Sequence, residues 1–210
     1  MGNTCLRIML IVAVFATCAA SAWAERCAIF FFEYEHEDSD IPSAQEMTAM
    51  ETSETILGAA YAERIFLVNT DATRDKLMAT LQDAFNTYTT VDLYIQAHGG
   101  MQYFRGHFDD RIYVHDIRAF SALDYANHLR LVYVGACHGW DLTDEFLDAG
   151  AVAVIGSTTK MVNFPFYPAF IINFSQLGMT VGDATALATI TPGDNFQVNG
   201  DQTITMDSEN

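Results

Sequence analysis

The sequence predicts an α/β fold, a three-layer sandwich with a mainly parallel sheet of about six strands between helices. Three observations lead there. Short runs of β-formers alternate along the chain with segments of helical period, which is the pattern of crossover-connected parallel strands. The runs over 27–34 (CAIFFFEY), 91–97 (VDLYIQA) and 129–134 (LRLVYV) are too continuously apolar for a strand with one wetted face and suit strands covered on both. The chain has 210 residues, 50% hydrophobic and 12% aromatic, enough for one real core and too few for two ordinary domains.

The elements follow in order. The run over 27–34 is the first strand, followed by an acidic loop over 35–40 (EHEDSD). Residues 43–62 have helical composition, with Ser43 as N-cap and Glu46 three residues on, a capping-box spacing. A second strand covers 64–69. Capping residues over 70–73 introduce an amphipathic helix over 74–88, with Leu77, Leu81, Ala84, Phe85 and Tyr88 on one side. The third strand runs over 92–97 into His98-Gly99-Gly100. Residues 103–114 read as a hairpin or loop and 115–125 as helix. A fourth strand over 129–134 leads into Gly135-Ala136-Cys137. A short helix over 143–149 closes at Gly150, a fifth strand covers 151–155, and helices cover 165–177 and 181–189. The segment 195–206 holds a last strand.

Residues 1–24 read as a secretory signal peptide: Arg7 is the only charge before Glu25, residues 8–20 are an apolar run, and Ala22-Trp23-Ala24 supplies small residues at the cleavage positions. The run is short for a membrane span of about 20 residues. Cys18 follows a poor lipobox. The mature domain is therefore expected over 25–210, outside the cell or in a periplasm, with no membrane association. Lys and Arg number 10 against 27 Asp and Glu, a formal charge of −17, and losing Arg7 with the signal leaves −18. Such a surface has no cationic patch to displace counterions from nucleic acid and excludes that class of partner.

Cleavage leaves two cysteines, Cys27 and Cys137. One opens a strand and the other follows one, so a parallel sheet puts them at opposite edges. Five residues at about 3.3 Å each separate them by roughly 17 Å, beyond the Cα spacing of about 7 Å that a disulfide allows. Both thiols are expected free. An unpaired Cys137 at a strand end invites a reactive role. His98 closes the preceding apolar strand, 39 residues earlier. If the two strands are neighbours, imidazole and thiol share the carboxyl edge where open α/β sheets place their sites, the minimum equipment of a cysteine nucleophile.

These residues resemble a family. Apolar strand–His98-Gly99 followed by apolar strand–Ala136-Cys137 is similar to the core of the clan CD cysteine peptidases, the caspase, gingipain and clostripain relatives. Residues 148–157 (DAGAVAVIGS) and 177–184 (LGMTVGDA) resemble segments downstream of that family's nucleophile. Residues 198–204 (VNGDQTI) resemble a gingipain-like ending, with Gln202 in place of Pro. The resemblance implies a caspase-like sheet, His98 as general base and acid, and Cys137 as nucleophile. It further implies an oxyanion hole from the backbone N–H groups of Gly99 and Cys137, and no cofactor. The reaction would be acyl transfer from a peptide or protein substrate through a thioester. In such relatives the loop after the first strand often reads the side chain before the scissile bond. Here that loop has no Arg or Lys, so Asp38 and Asp40 are expected to favour Arg or Lys. A solvated or calcium-binding acidic loop accounts for the same residues equally well. His138, in the place of the caspase Arg or Gln, lines the cleft or tunes Cys137.

Other readings are weaker. His98, His107, His115, Cys137 and His138 hold ligand-type side chains but lack tight zinc spacing, so no metal site is expected. Asp109, Asp110, Asp141 and Asp144 read as turn and cap residues, and Phe164, Phe166, Tyr167, Phe170 and Phe174 as core. The rival to an active enzyme is a non-catalytic binding or assembly domain on the same fold.

Overall fold

The computed structural model describes residues 26–34, 43–121, 128–160, 163–189 and 195–208. The signal segment and the acidic loop with Asp38 and Asp40 lie outside these residues. Six strands form the main sheet, in the order β2-β1-β3-β7-β8-β9. They are β1 (Arg26–Glu33), β2 (Glu63–Val68), β3 (Thr90–Ala97), β7 (Leu129–Gly135), β8 (Ala153–Ser157) and β9 (Phe196–Gly200). The first five are mutually parallel, and β9 closes the edge antiparallel to β8. Between β3 and β7 the chain builds a small antiparallel sheet from β4 (Gly99–Gly100), β5 (Tyr103–Arg105) and β6 (Arg111–Tyr113). Every residue of β1, β3 and β7 is buried, as continuous apolar runs require of central strands.

The helices form two layers. Helices α2 (Arg74–Thr87), α3 (Val114–Ser121) and α4 (Thr143–Asp148) cover the face that carries Ile29, Phe31, Leu93, Ile95, Val132 and Val134. Helices α1 (Ala44–Leu57), α5 (Asn163–Ile171) and α6 (Val181–Ala188) cover the face of Phe30, Phe32, Tyr94, Leu131 and Tyr133. The alternation of the two sets along β1, β3 and β7 is the period of 2 that a strand imposes. Phe166, Tyr167, Phe170 and Phe174 are fully buried in the second layer, with Phe166, Phe170 and Phe196 stacked near Tyr133.

The capping box at α1 is present: Ser43 Oγ accepts from Glu46 N at 3.1 Å and the Glu46 carboxylate accepts from Ser43 N. Thr73 caps α2 through Lys76 N. Some boundaries differ from expectation. Helix α1 ends at Leu57 beside Gly58 rather than at 62, and β8 begins at Ala153 because Gly150, at φ 100°, still turns the chain after α4. The expected helix over 165–177 divides into α5, with Pro168 inside it, and a π-helical turn over Ile172–Gln176 that stops at Gly178, φ 61°. Asp110 is a cap residue, accepting from Arg74 N at 2.7 Å at the start of α2.

The amino edge of the sheet is held by a buried polar network. The β3–β7 register passes from Val91↔Leu129 to Asp92↔Leu131, so Arg130 is the extra residue of a bulge. Its guanidinium reaches Asp92, with Nε to Oδ1 at 3.0 Å, and both side chains are fully buried. Tyr61 donates to Asp92, and Tyr61 and Tyr94 share a hydrogen bond of 2.8 Å. Arg130 also donates to the carbonyls of Met206 and Ser208, each at 2.8 Å, while Arg26 donates to those of Met206, Asp207 and Ser208. Two buried arginines thus gather the carbonyls of the last described residues.

Candidate active site

His98 and Cys137 stand at the carboxyl ends of adjacent parallel strands. The β3–β7 pairing runs to Gln96↔Gly135, and two residues further along both strands come His98 and Cys137. Strand alternation assigns His98 to the face of Tyr94 and Gln96, and Cys137 to the face of Leu131 and Tyr133, so both belong to one face of the sheet. Each residue is half-buried. Cys27 sits at the opposite edge, fully buried, and both cysteines are free. Burial, with Glu63 and Asp92 nearby, pushes the Cys27 thiol up to about 12.

The backbones at the two strand ends interlock. A Cβ at Gly99 would lie 2.8 Å from Ala136 Cβ, 3.0 Å from the Cys137 carbonyl and 3.1 Å from that of Tyr103. No side chain fits there without displacing the turn that carries Cys137. The His98 carbonyl accepts from Arg105 N at 2.8 Å, which ties the residue to the small sheet. After Cys137, His138 adopts φ 57°, its N–H donates to the Thr159 carbonyl at 3.1 Å, and Gly139 N closes a turn onto the Ala136 carbonyl at 3.0 Å. That turn presses on β8: a Cβ at Gly156 would lie 2.7 Å from Trp140 N. The glycine of the 148–157 motif thereby gives the turn after Cys137 its seat.

Residues the sequence did not single out complete the surroundings. The Tyr34 ring meets the His98 imidazole edge-on, centroids 6.0 Å apart, and Tyr34 Oη donates to Gln96 Oε1 at 3.1 Å. Tyr34, Gln96 and Tyr167 line a small cavity with Gln45, Thr48 and Ala49 beside His98. On the other face of the same edge, buried Glu33 lies near His107, with Oε1 3.5 Å from Nδ1. Burial, reinforced by Glu46 and opposed by Arg105, lifts the Glu33 carboxyl to about 7. The available signal was a polar residue interrupting an apolar strand end, as Glu33 and Gln96 both do. His115 is exposed and away from this group, 3.8 Å from Asp116. Among the described residues no three His, Cys, Asp or Glu side chains converge to hold a metal, and no helix is long and apolar enough to cross a membrane.

A parallel α/β sandwich with a His and a Cys at neighbouring strand ends has the fold of the caspase-like, clan CD cysteine proteases. The structural neighbours are of that class. The Drosophila initiator caspase Dronc aligns over 89% of this chain and 84% of its own, with a TM-score of 0.60 and 7% identity. A secreted C11 cysteine protease from Bacteroides thetaiotaomicron, solved with an irreversible peptide inhibitor, aligns over 77% of this chain at 13% identity and a TM-score of 0.53. Porphyromonas gingivalis RgpB, solved as pro- and mature domains, aligns over 88% at 16% identity and a TM-score of 0.53. The chain spans 56% of the length of the C11 protease and 48% of that of RgpB. At these identities the likeness is one of fold. No protein-family model and no curated protein matches the sequence.

Proposed function

We propose that the mature chain, residues 25–210, is a secreted or periplasmic cysteine endopeptidase with a His98–Cys137 dyad. The observation that supports this reading is the meeting of the two strand ends, two residues past Gln96↔Gly135, with Gly99 packed on the Cys137 backbone. His98 takes the thiol proton as Cys137 Sγ bonds to the scissile carbonyl carbon. The oxyanion is held by the backbone N–H groups of Gly99 and Cys137. The imidazolium returns its proton to the leaving amine as the C–N bond breaks, leaving a thioester. His98 then deprotonates a water that attacks the thioester, and acid and thiol are released. Asp38 and Asp40 select Arg or Lys before the cleaved bond by charge pairing, with His138 on the cleft wall beside the nucleophile. No cofactor enters this chemistry.

The test is a panel of fluorogenic peptides varied at the residue before the bond, together with an acyl-ketone peptide probe. Cleavage and labelling are expected in the mature chain and absent from Cys137→Ala and His98→Ala. Equal labelling of wild type and His98→Ala, with no cleavage, makes the chain a binding module instead. Asp38→Ala and Asp40→Ala check the pocket: a basic preference unchanged in both discards those residues.

A further inference from the structure

Glu33, Asn69 and His107 are 5%, 3% and 4% exposed, on the face of the sheet away from the dyad. Among the described residues, Glu33 Oε2, both amide atoms of Asn69 and both ring nitrogens of His107 have no hydrogen-bond partner. Buried polar atoms are nearly always satisfied, so orphans on three residues whose backbones the fold brings to one corner call for a partner. Their grouping follows from the fold. The β1–β2 register ends at Phe32↔Val68, so Glu33, the last residue of β1, is followed across the sheet edge by Asn69, which opens the 3-10 turn after β2. Ala72 N donates to the Asn69 carbonyl, and the Ala72 carbonyl accepts from His107 N, each at 2.8 Å, which draws the His107 turn over the end of β2. Asn69 itself is held at φ 55°.

The spacing of the donors is informative. Glu33 Oε1 and His107 Nδ1 are 3.5 Å apart. A charge-assisted hydrogen bond between them would close to about 2.7–2.9 Å. Two ligands bound at about 2.0–2.1 Å around one tetrahedral ion stand about 3.4 Å apart. The donor types narrow the ion. Calcium and magnesium take oxygen ligands, and soft ions want sulfur, whereas an imidazole nitrogen with a carboxylate suits the borderline divalent metals.

We infer that the Glu33 carboxylate, a ring nitrogen of His107 and the Asn69 amide oxygen bind one divalent cation of the zinc class, with water completing the coordination. The third donor is an amide, so the site has only two of the usual His, Cys, Asp or Glu ligands. Glu46 and Arg105 are the charged groups that act on Glu33, and the cation adds positive charge where a second carboxylate crowds the first. The ion staples the excursion from β4 to β6 to the ends of β1 and β2. This inference is independent of the protease reading.

The experiment uses the mature chain carrying Cys137→Ala, so that the dyad thiol cannot ligate, stripped of metal and titrated with Co²⁺ and then Zn²⁺. One Co²⁺ per chain is expected, with visible d–d bands that Zn²⁺ displaces and a Tm that rises with metal. His107→Gln is expected to weaken binding by about 100-fold or more, following the loss of a direct ligand. Asn69→Asp, tolerated at a left-handed φ, replaces an amide by a carboxylate and is expected to tighten binding about tenfold. A folding lesion would not tighten it, so this variant decides the matter if His107→Gln is unstable. Identical titrations of parent and His107→Gln, absence of a stoichiometric site, or no gain in Asn69→Asp overturns the inference.

Discussion

Gly99 and Cys137, distant along the chain, touch through their backbones: the position a Cβ would take on Gly99 is 3.0 Å from the Cys137 carbonyl and 2.8 Å from Ala136 Cβ. Glycine is required here by close approach. Gly99→Ala is therefore expected to push the two strand ends apart. Overpacking of this kind costs about 1–3 kcal/mol, and a displacement near 1 Å at reacting groups lowers rate by about 10²-fold. Peptide-probe labelling and urea unfolding measure the two effects. Ala136→Gly removes the nearer clash, so the double variant is expected to recover part of both. Absence of any recovery would show that the carbonyls of Cys137 and Tyr103, not the Ala136 methyl, set the limit.

The two thiols are expected to differ sharply in reactivity. With Cys27 pushed up to about 12 by burial, only about one molecule in 10⁴ is thiolate there at pH 8, and the thiolate is the form that reacts. Iodoacetamide at pH 8 is expected to modify Cys137 alone in the folded mature chain, and Cys137→Ala to take up no label until unfolded. Peptide mass mapping reads the site. Label on Cys27 in the folded protein would mean that the amino edge opens readily.

Legibility followed periodicity. The central strands declared themselves because burial on both faces leaves a continuous apolar run. The site was legible as far as two strands ending in small residues beside His98 and Cys137. What stayed hidden depended on contacts between distant segments. Tyr34 read as the last residue of a strand, and only the fold brings its ring to His98. Asp92 and Arg130 are each one polar residue in an apolar strand, and their pairing needs the bulge that turns Arg130 out of register. The trio of Glu33, Asn69 and His107 comes from three elements, two of them turns with left-handed residues, whose geometry no local pattern announces. The helix over 165–177 read as continuous because its apolar period continues through the π-helical turn.

The Arg130–Asp92 pair is expected to carry stability and no chemistry. Arg130→Met leaves a buried carboxylate and leaves the carbonyls of Met206 and Ser208 to Arg26 alone, so a loss of about 3–5 kcal/mol, mostly from the unpaired Asp92, is expected in urea unfolding. Replacing both partners by apolar residues can be neutral for an isolated buried pair. Here the carbonyls of Met206 and Ser208 lose one of their two arginine donors and Tyr61 loses its acceptor, so Asp92→Leu with Arg130→Met is expected to recover only part of the loss. Asp92 is six residues from His98 along β3, about 20 Å at strand rise, so the folded fraction is expected to label at Cys137 as wild type does. Full recovery in the double variant would mean that Arg26 alone suffices for the carbonyls of Met206 and Ser208.

Tyr34 is expected to act on the proposed His98–Cys137 dyad through position. Its ring limits the rotation of the His98 imidazole, and its hydroxyl fixes the ring on Gln96. The two parts separate by substitution. Tyr34→Phe keeps the edge contact and loses one hydrogen bond, whose net value is about 0.5–1.5 kcal/mol. Tyr34→Ala removes the wall itself and frees the imidazole to leave the attack geometry, where misplacement costs about 10²-fold. Peptide cleavage is expected to fall severalfold at most in the Phe variant and at least tenfold in the Ala variant, through kcat rather than KM, because the ring packs edge-on against His98. An equal fall in both would assign the effect to the hydroxyl and its Gln96 partner. A change confined to KM would move Tyr34 from the dyad to the substrate cleft.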